Sequence, residues 1–129
     1  MANHPFDWNT WSGLDATELA QSINEGDVSV PEVMAQLADA VSIQNPSFNA
    51  VIELFDDVFE TPSTSGANPN GAFYGVPILI KDMGSRIAGR DQQIGLGFKK
   101  PEPAADDDPL IEKFRPAGVI VCGRTAVPE

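Results

Sequence analysis

Gly75-Val76-Pro77-Ile78-Leu79-Ile80-Lys81-Asp82 is the stretch on which the fold turns. From Val76 to Ile80 no side chain is polar. The run therefore lacks the alternation of a half-exposed strand and reads as a strand buried on both faces, whose C-terminal end emerges at Lys81-Asp82. Such strands belong to α/β sheets, and their C-terminal ends are where α/β sites collect. Lys81 is accordingly expected to be largely buried at the end of a strand over residues 77–80, with Asp82 turning away from it. A second run of the same kind, Val119-Ile120-Val121-Cys122, follows a helix expected over residues 109–115 and closed by Gly118. Asp107 or Asp108 is the expected cap of that helix. Helix, turn and parallel-type strand form the last unit.

Working toward the N-terminus, residues 15–26 open with acceptors suited to a helix cap, carry Leu19, Ala20 and Ile23 on one stripe and close on Gly26. A second helix starts at Ser29, with Pro31 in its first turn, Glu32 at capping-box spacing, and Val33, Leu37 and Val41 recurring every four residues. Asn45-Pro46 is expected to break it, and residues 49–55 then alternate as a short strand. Residues 61–72 are almost all turn formers and read as an exposed connection that tolerates cutting or lengthening. Between Met83 and Pro109 no period is clean, and Gly84, Gly89, Gly95 and Gly97 punctuate a long loop of the kind kept for function or for packing on another domain.

With 129 residues the chain holds about one domain, which excludes a two-domain enzyme. Eight Lys plus Arg against nineteen Asp plus Glu leave a net charge of −11, whose field repels phosphate backbones and anionic lipid. No nucleic acid and no membrane are expected as partners. A single cysteine, Cys122, cannot make an intrachain disulfide, and no apolar run approaches the roughly 18 residues of a membrane helix, so a cytoplasmic location is expected. Residues 1–14 form an N-terminal arm in which Phe6, Trp8 and Trp11 either make a recognition patch or fold onto their own domain. The chain stops directly after a strand, with nothing to cover the strand's other face. Residues 15–129 are therefore expected to be part of a larger, incomplete domain.

Searches for a phosphate loop, a zinc-protease helix and a nucleophile elbow find nothing. His4, the only histidine, reads as a surface residue rather than a triad member. Asp106-Asp107-Asp108 is explained by helix capping better than by a cation, and Cys122 reads as a small buried hydrophobe. No metal or cofactor is implied. Lys81 differs in kind: after so apolar a strand it either snorkels to solvent or is held partly buried with its charge disfavoured. In the second case its amine becomes a general base, the way lysine enters catalysis without histidine.

These residues carry a family resemblance. The blocks G-V-P-x-x-x-K-D at residues 75–82 and A-G-x-x-x-x-G-[KR]-T-x-x-P-E at residues 117–129 resemble the N-terminal part of the amidase signature family. Ala16-Thr17-Glu18-Leu19-Ala20, Asn45-Pro46 and Asn49-Ala50-Val51 are similar to the helical start of the same enzymes. The resemblance spans residues 14–129. It implies the α/β fold of those enzymes: two N-terminal helices, then strands of a mixed sheet with a covering helix. It also implies carboxamide hydrolysis or amidotransfer by a Ser, cis-Ser, Lys triad, with Lys81 matching the family lysine and a small-molecule amide as substrate. In the family both serines lie in a Gly/Ser-rich segment after the point where this chain stops, and none of its own serines sits in such a run. The chain alone is expected to be inactive, contributing the lysine only, with a complementing C-terminal segment or a homo-oligomer as possible partners. The competing reading is a non-catalytic truncated homologue that at most binds a partner chain. Pro116 and Leu96 depart from the family pattern, the second by removing a loop hydroxyl.

Overall fold

A computed structural model describes residues 4–127. Residues 1–3 of the expected arm and Pro128-Glu129 of the second block lie outside the described residues. Three helices come first: α1 (Trp8–Gly13), α2 (Ala16–Glu25) and α3 (Val30–Phe48). The two later ones start as their sequences predict. Asp15 accepts from the Thr17 and Glu18 amides while Glu18 accepts from the Asp15 amide, and Ser29 and Glu32 repeat that reciprocal box. Gly26 closes α2 in the left-handed conformation, φ 80°.

Asn45-Pro46 does not break α3, which runs on to Phe48 with Pro46 inside it and ends at a left-handed Asn49. Proline removes one amide donor from a helix, but here the neighbouring Asn45 side chain provides a compensating anchor. Its amide donates to the Val51 carbonyl at 2.9 Å and its oxygen accepts from the Val51 amide at 2.8 Å. The helix is thereby tied to the strand that follows, β1 (Val51–Leu54).

After β1 come α4 (Asp56–Glu60) and a 3₁₀ turn (Pro62–Ser65), neither of which the turn-rich sequence announces. Strand β2 (Pro77–Lys81), helix α5 (Pro109–Ala117) and strand β3 (Ile120–Thr125) complete the fold. The sheet has the order β1-β3-β2, with β3 antiparallel to β1 and parallel to β2. As the central strand, β3 is buried along almost its whole length. One core cluster lies under this sheet and gathers Met34, Phe55, Val58, Ile111, Ile120 and Cys122. A second joins α2 and α3 through Leu19, Ala20, Val28 and Val33, with Phe6 and Trp11 of the N-terminal arm packed on it.

The connection over residues 61–72 is not the loose link its composition suggests. The Asn68 amide donates to the Arg115 carbonyl at 2.8 Å and the Phe73 amide to the Ala117 carbonyl at 2.8 Å, so the segment satisfies the unpaired carbonyls at the end of α5. Gly71 lies so close to that helix end that a side chain there would collide with the Ala117 carbonyl. Gly71→Ala should therefore destabilise the protein by about 1–3 kcal/mol, read as a lower urea midpoint with an unchanged slope. A midpoint equal to wild type would show that the connection is as free as its composition implies.

Candidate active site

The strand end that the sequence singles out exists, but its burial is reversed. β2 extends one residue further than expected, through Lys81, and Lys81 is exposed rather than largely buried. The reason is the alternation of side chains along the strand: Ile80 and Asp82 are buried on one face and Lys81 stands on the other, and on this edge strand, paired only with β3, Pro77, Ile78 and Leu79 are only half-buried. Among the described residues the Lys81 amine makes no hydrogen bond or ion pair, as is also true of the Lys100 and Lys113 amines, whereas Arg86, Arg90, Lys99, Arg115 and Arg124 are all ion-paired.

Asp82 is the residue that goes inside, 1% exposed. A lone carboxylate so deep would be costly, and it is compensated by a buried cation. Arg124, 7% exposed, donates from Nη1 to Asp82 Oδ1 at 2.6 Å and to the Asp91 carbonyl at 2.6 Å. Its Nε and Nη2 both reach Glu53 Oε2, at 3.1 and 2.6 Å. Asp82 Oδ1 also accepts from the Gln93 amide at 3.0 Å, while its own amide donates to the Thr125 carbonyl at 3.0 Å. The site is thus built by β1, β2, β3 and the loop at residues 91–93 together. Residue reasoning missed Asp82 and Arg124, although both stand at lettered positions of the two blocks. The usable signal was a lone arginine at the end of the otherwise uncharged strand β3.

The long loop is held at its far end by carboxylates. Asp107 Oδ1 accepts from the Ala88 amide at 2.8 Å and from Arg115 Nη2 at 2.8 Å, and its Oδ2 accepts from Arg115 Nε. Arg115 also donates from Nη1 to the Ser65 carbonyl. Asp108 stands at the N-cap of α5 but makes no side-chain cap bond; its oxygens take the Arg86 amide at 2.7 Å and the Arg86 guanidinium at 3.1 Å. Side-chain capping is therefore not what these carboxylates do. Each is already engaged by an arginine on another element.

Cys122 is buried as expected, with its thiol pushed up to about 12 by desolvation, so it is a poor nucleophile. His4 is not a free surface residue: it lies 3.3 Å from Asp39 and packs against the Trp8 ring. A cavity of about 730 Å³ lies between α2 and the 69–74 turn, and another of about 340 Å³ is lined by Arg86, Arg90, Gln92, Lys99 and Glu102. Lys81 lines neither.

Set beside known proteins, the chain matches the Amidase family over residues 32–129, and it belongs to that family. It is 30% identical over 114 residues to a lipoamidase of Enterococcus faecalis, a match covering 88% of this chain and 16% of that protein. It is 32% identical over 117 residues to a 6-aminohexanoate-cyclic-dimer hydrolase of Paenarthrobacter ureafaciens, covering 89% of this chain and 23% of that protein. A solved structure of 6-aminohexanoate cyclic dimer hydrolase superposes with a TM-score of 0.78 at 29% identity, over 90% of this chain and 24% of that one. The chain thus spans about a sixth to a quarter of the relatives it matches. The fold is that of the N-terminal region of amidase signature enzymes, as the two sequence blocks implied.

The Asp107 clasp has a pH signature. Its carboxyl is held below the ordinary 3.8 first by the Arg115 hydrogen bond, which outweighs the opposing effect of partial burial, and further by the Ala88 amide. A value lower in the folded than in the unfolded chain contributes stability that is fully present above the ordinary value and is lost as pH falls from there through the lower folded value. Urea midpoints taken from about pH 6 down to about pH 3 should fall more steeply for wild type than for Asp107→Asn. Equal slopes would exclude a role for this pair in acid stability.

Proposed function

We propose that Lys81 is the proton acceptor of a Ser, cis-Ser, Lys triad in an amide hydrolase, and that both serines come from polypeptide other than these 129 residues. The observation that carries this reading is the position of Lys81: it ends a strand parallel to β3, in register with Thr125, with its amine uncommitted to any partner among the described residues. The open edge of β2 supports it further, because the partner polypeptide that supplies the serines could pack there and exclude water from the amine.

In this mechanism the Lys81 amine, once the partner polypeptide has excluded water from it, takes a proton from the cis serine hydroxyl, which takes the proton of the nucleophilic serine as that oxygen adds to the amide carbonyl. Collapse of the tetrahedral adduct breaks the C–N bond, and the proton held by lysine returns through the same serine to the departing amine. Water then cleaves the acyl-enzyme by the same relay. The substrate is a small carboxamide. The names of the relatives support amide hydrolysis, and the −11 charge of this segment disfavours a nucleic-acid substrate.

Two measurements test this. Residues 1–129 alone should not hydrolyse a chromogenic anilide. In the enzyme that carries the serine pair, Lys81→Ala should lower kcat by about 10²–10⁴-fold or more, while Arg86→Ala, which alters only a contact to Asp108, should stay within about threefold of wild type. Near-wild-type turnover by folded Lys81→Ala would make Lys81 an ordinary strand-end residue.

A further inference from the structure

We infer that Arg124 is a positioning residue for Lys81, acting from the opposite face of the sheet; the inference rests on the proposed role of Lys81. Side chains alternate along β2: Ile80 and Asp82 are buried and Lys81 between them is exposed. Arg124 is in register with Ile80, and Lys81 with Thr125, so Arg124 and Asp82 share one face and Lys81 occupies the other. Arg124 does not touch the reacting atoms. It grips the residues that set where Lys81 can stand.

All three nitrogens of its fork are engaged. One edge takes Glu53 of β1, and Nη1 takes Asp82 and the Asp91 carbonyl, each at 2.6 Å. Because Asp82 also accepts from the Gln93 amide and donates its own amide to Thr125, four chain segments converge immediately behind the lysine. An edge strand has neighbours on one side only, so its last residue is prone to fraying. β2 ends at Lys81, and the peptide directly after it is pinned by this node. A proton relay through two serines depends on donor–acceptor placement, where about 1 Å of misplacement can cost about 10²-fold.

The test is a double-mutant cycle in the enzyme that carries the serines. Arg124→Gln should lower kcat by about 10–10²-fold with KM within about threefold, and Arg124→Lys, which keeps the charge but loses the fork, should recover part of that loss. In the Lys81→Ala background, Arg124→Gln should change the residual rate by less than about threefold, because the group it positions is gone. Equal factors in both backgrounds would overturn the positioning role and leave the base assignment standing. Wild-type turnover by Lys81→Ala would overturn the base assignment itself. Should Arg124→Gln fail to fold, Asp82→Asn carries the same cycle: it removes the charge that Arg124 holds and keeps the side-chain shape. The same two patterns, confinement of the effect to the Lys81 background or equal factors, then decide for or against.

Discussion

The buried contact between Arg124 and Asp82 is the constraint around which the rest of the structure is arranged. Neither partner has water to fall back on, so each needs the other, and removing one would leave an uncompensated charge in the interior. The arginine sits on the central strand, the aspartate just past the edge strand, and Glu53 on the third strand completes the set. One guanidinium therefore specifies how the ends of all three strands are placed relative to one another. Apolar packing alone could not do this, because Ile78, Leu79 and Ile80 are similar enough to slide past one another, whereas a planar fork admits one geometry.

The acidity of the chain takes on a structural meaning in this light. Many of its carboxylates are spent on backbone amides rather than left as a solvated shell: Asp15 and Glu32 at helix starts, Asp82 on Gln93, Asp91 on Glu102, Asp107 on Ala88 and Asp108 on Arg86. The loop over residues 83–108 has little regular structure beyond a single bridge between Ala88 and Ala104. Carboxylates at both ends and in the middle satisfy donors that a ladder would otherwise take.

Arg115 is a second anchor of the same design. From the last turn of α5 it reaches Asp107 before the helix and the Ser65 carbonyl in the 3₁₀ turn, so the helix, the loop and the connection after α4 are fastened at one point. This is why the turn-rich segment at residues 61–72 is not the free link that its composition implies. Turn formers describe what a backbone can do, and here the helix end at Ala117 decides what it does.

Much of this protein was legible in its residues alone. The strands before Lys81 and at Cys122 and the family blocks show as consecutive letters, while the helix starts at Asp15 and Ser29 and the stop at Gly26 rest on interactions within a few residues of one another. Local hydrogen bonds and φ preferences decide such features, and they are written in consecutive letters. Only the tertiary structure decided that Pro46 stays inside its helix, that Asp107 and Asp108 hold arginines instead of capping, and that Lys81 faces out while Asp82 faces in. Asp82 and Asp108 depend on partners far along the chain, Arg124 and Arg86, and even the nearer partners, Val51 for the turn after Pro46 and Arg115 for Asp107, belong to a different element. The energy of burying a charge is set by what lies opposite it once the strands have been ordered β1-β3-β2, and that order is absent from any short stretch of sequence.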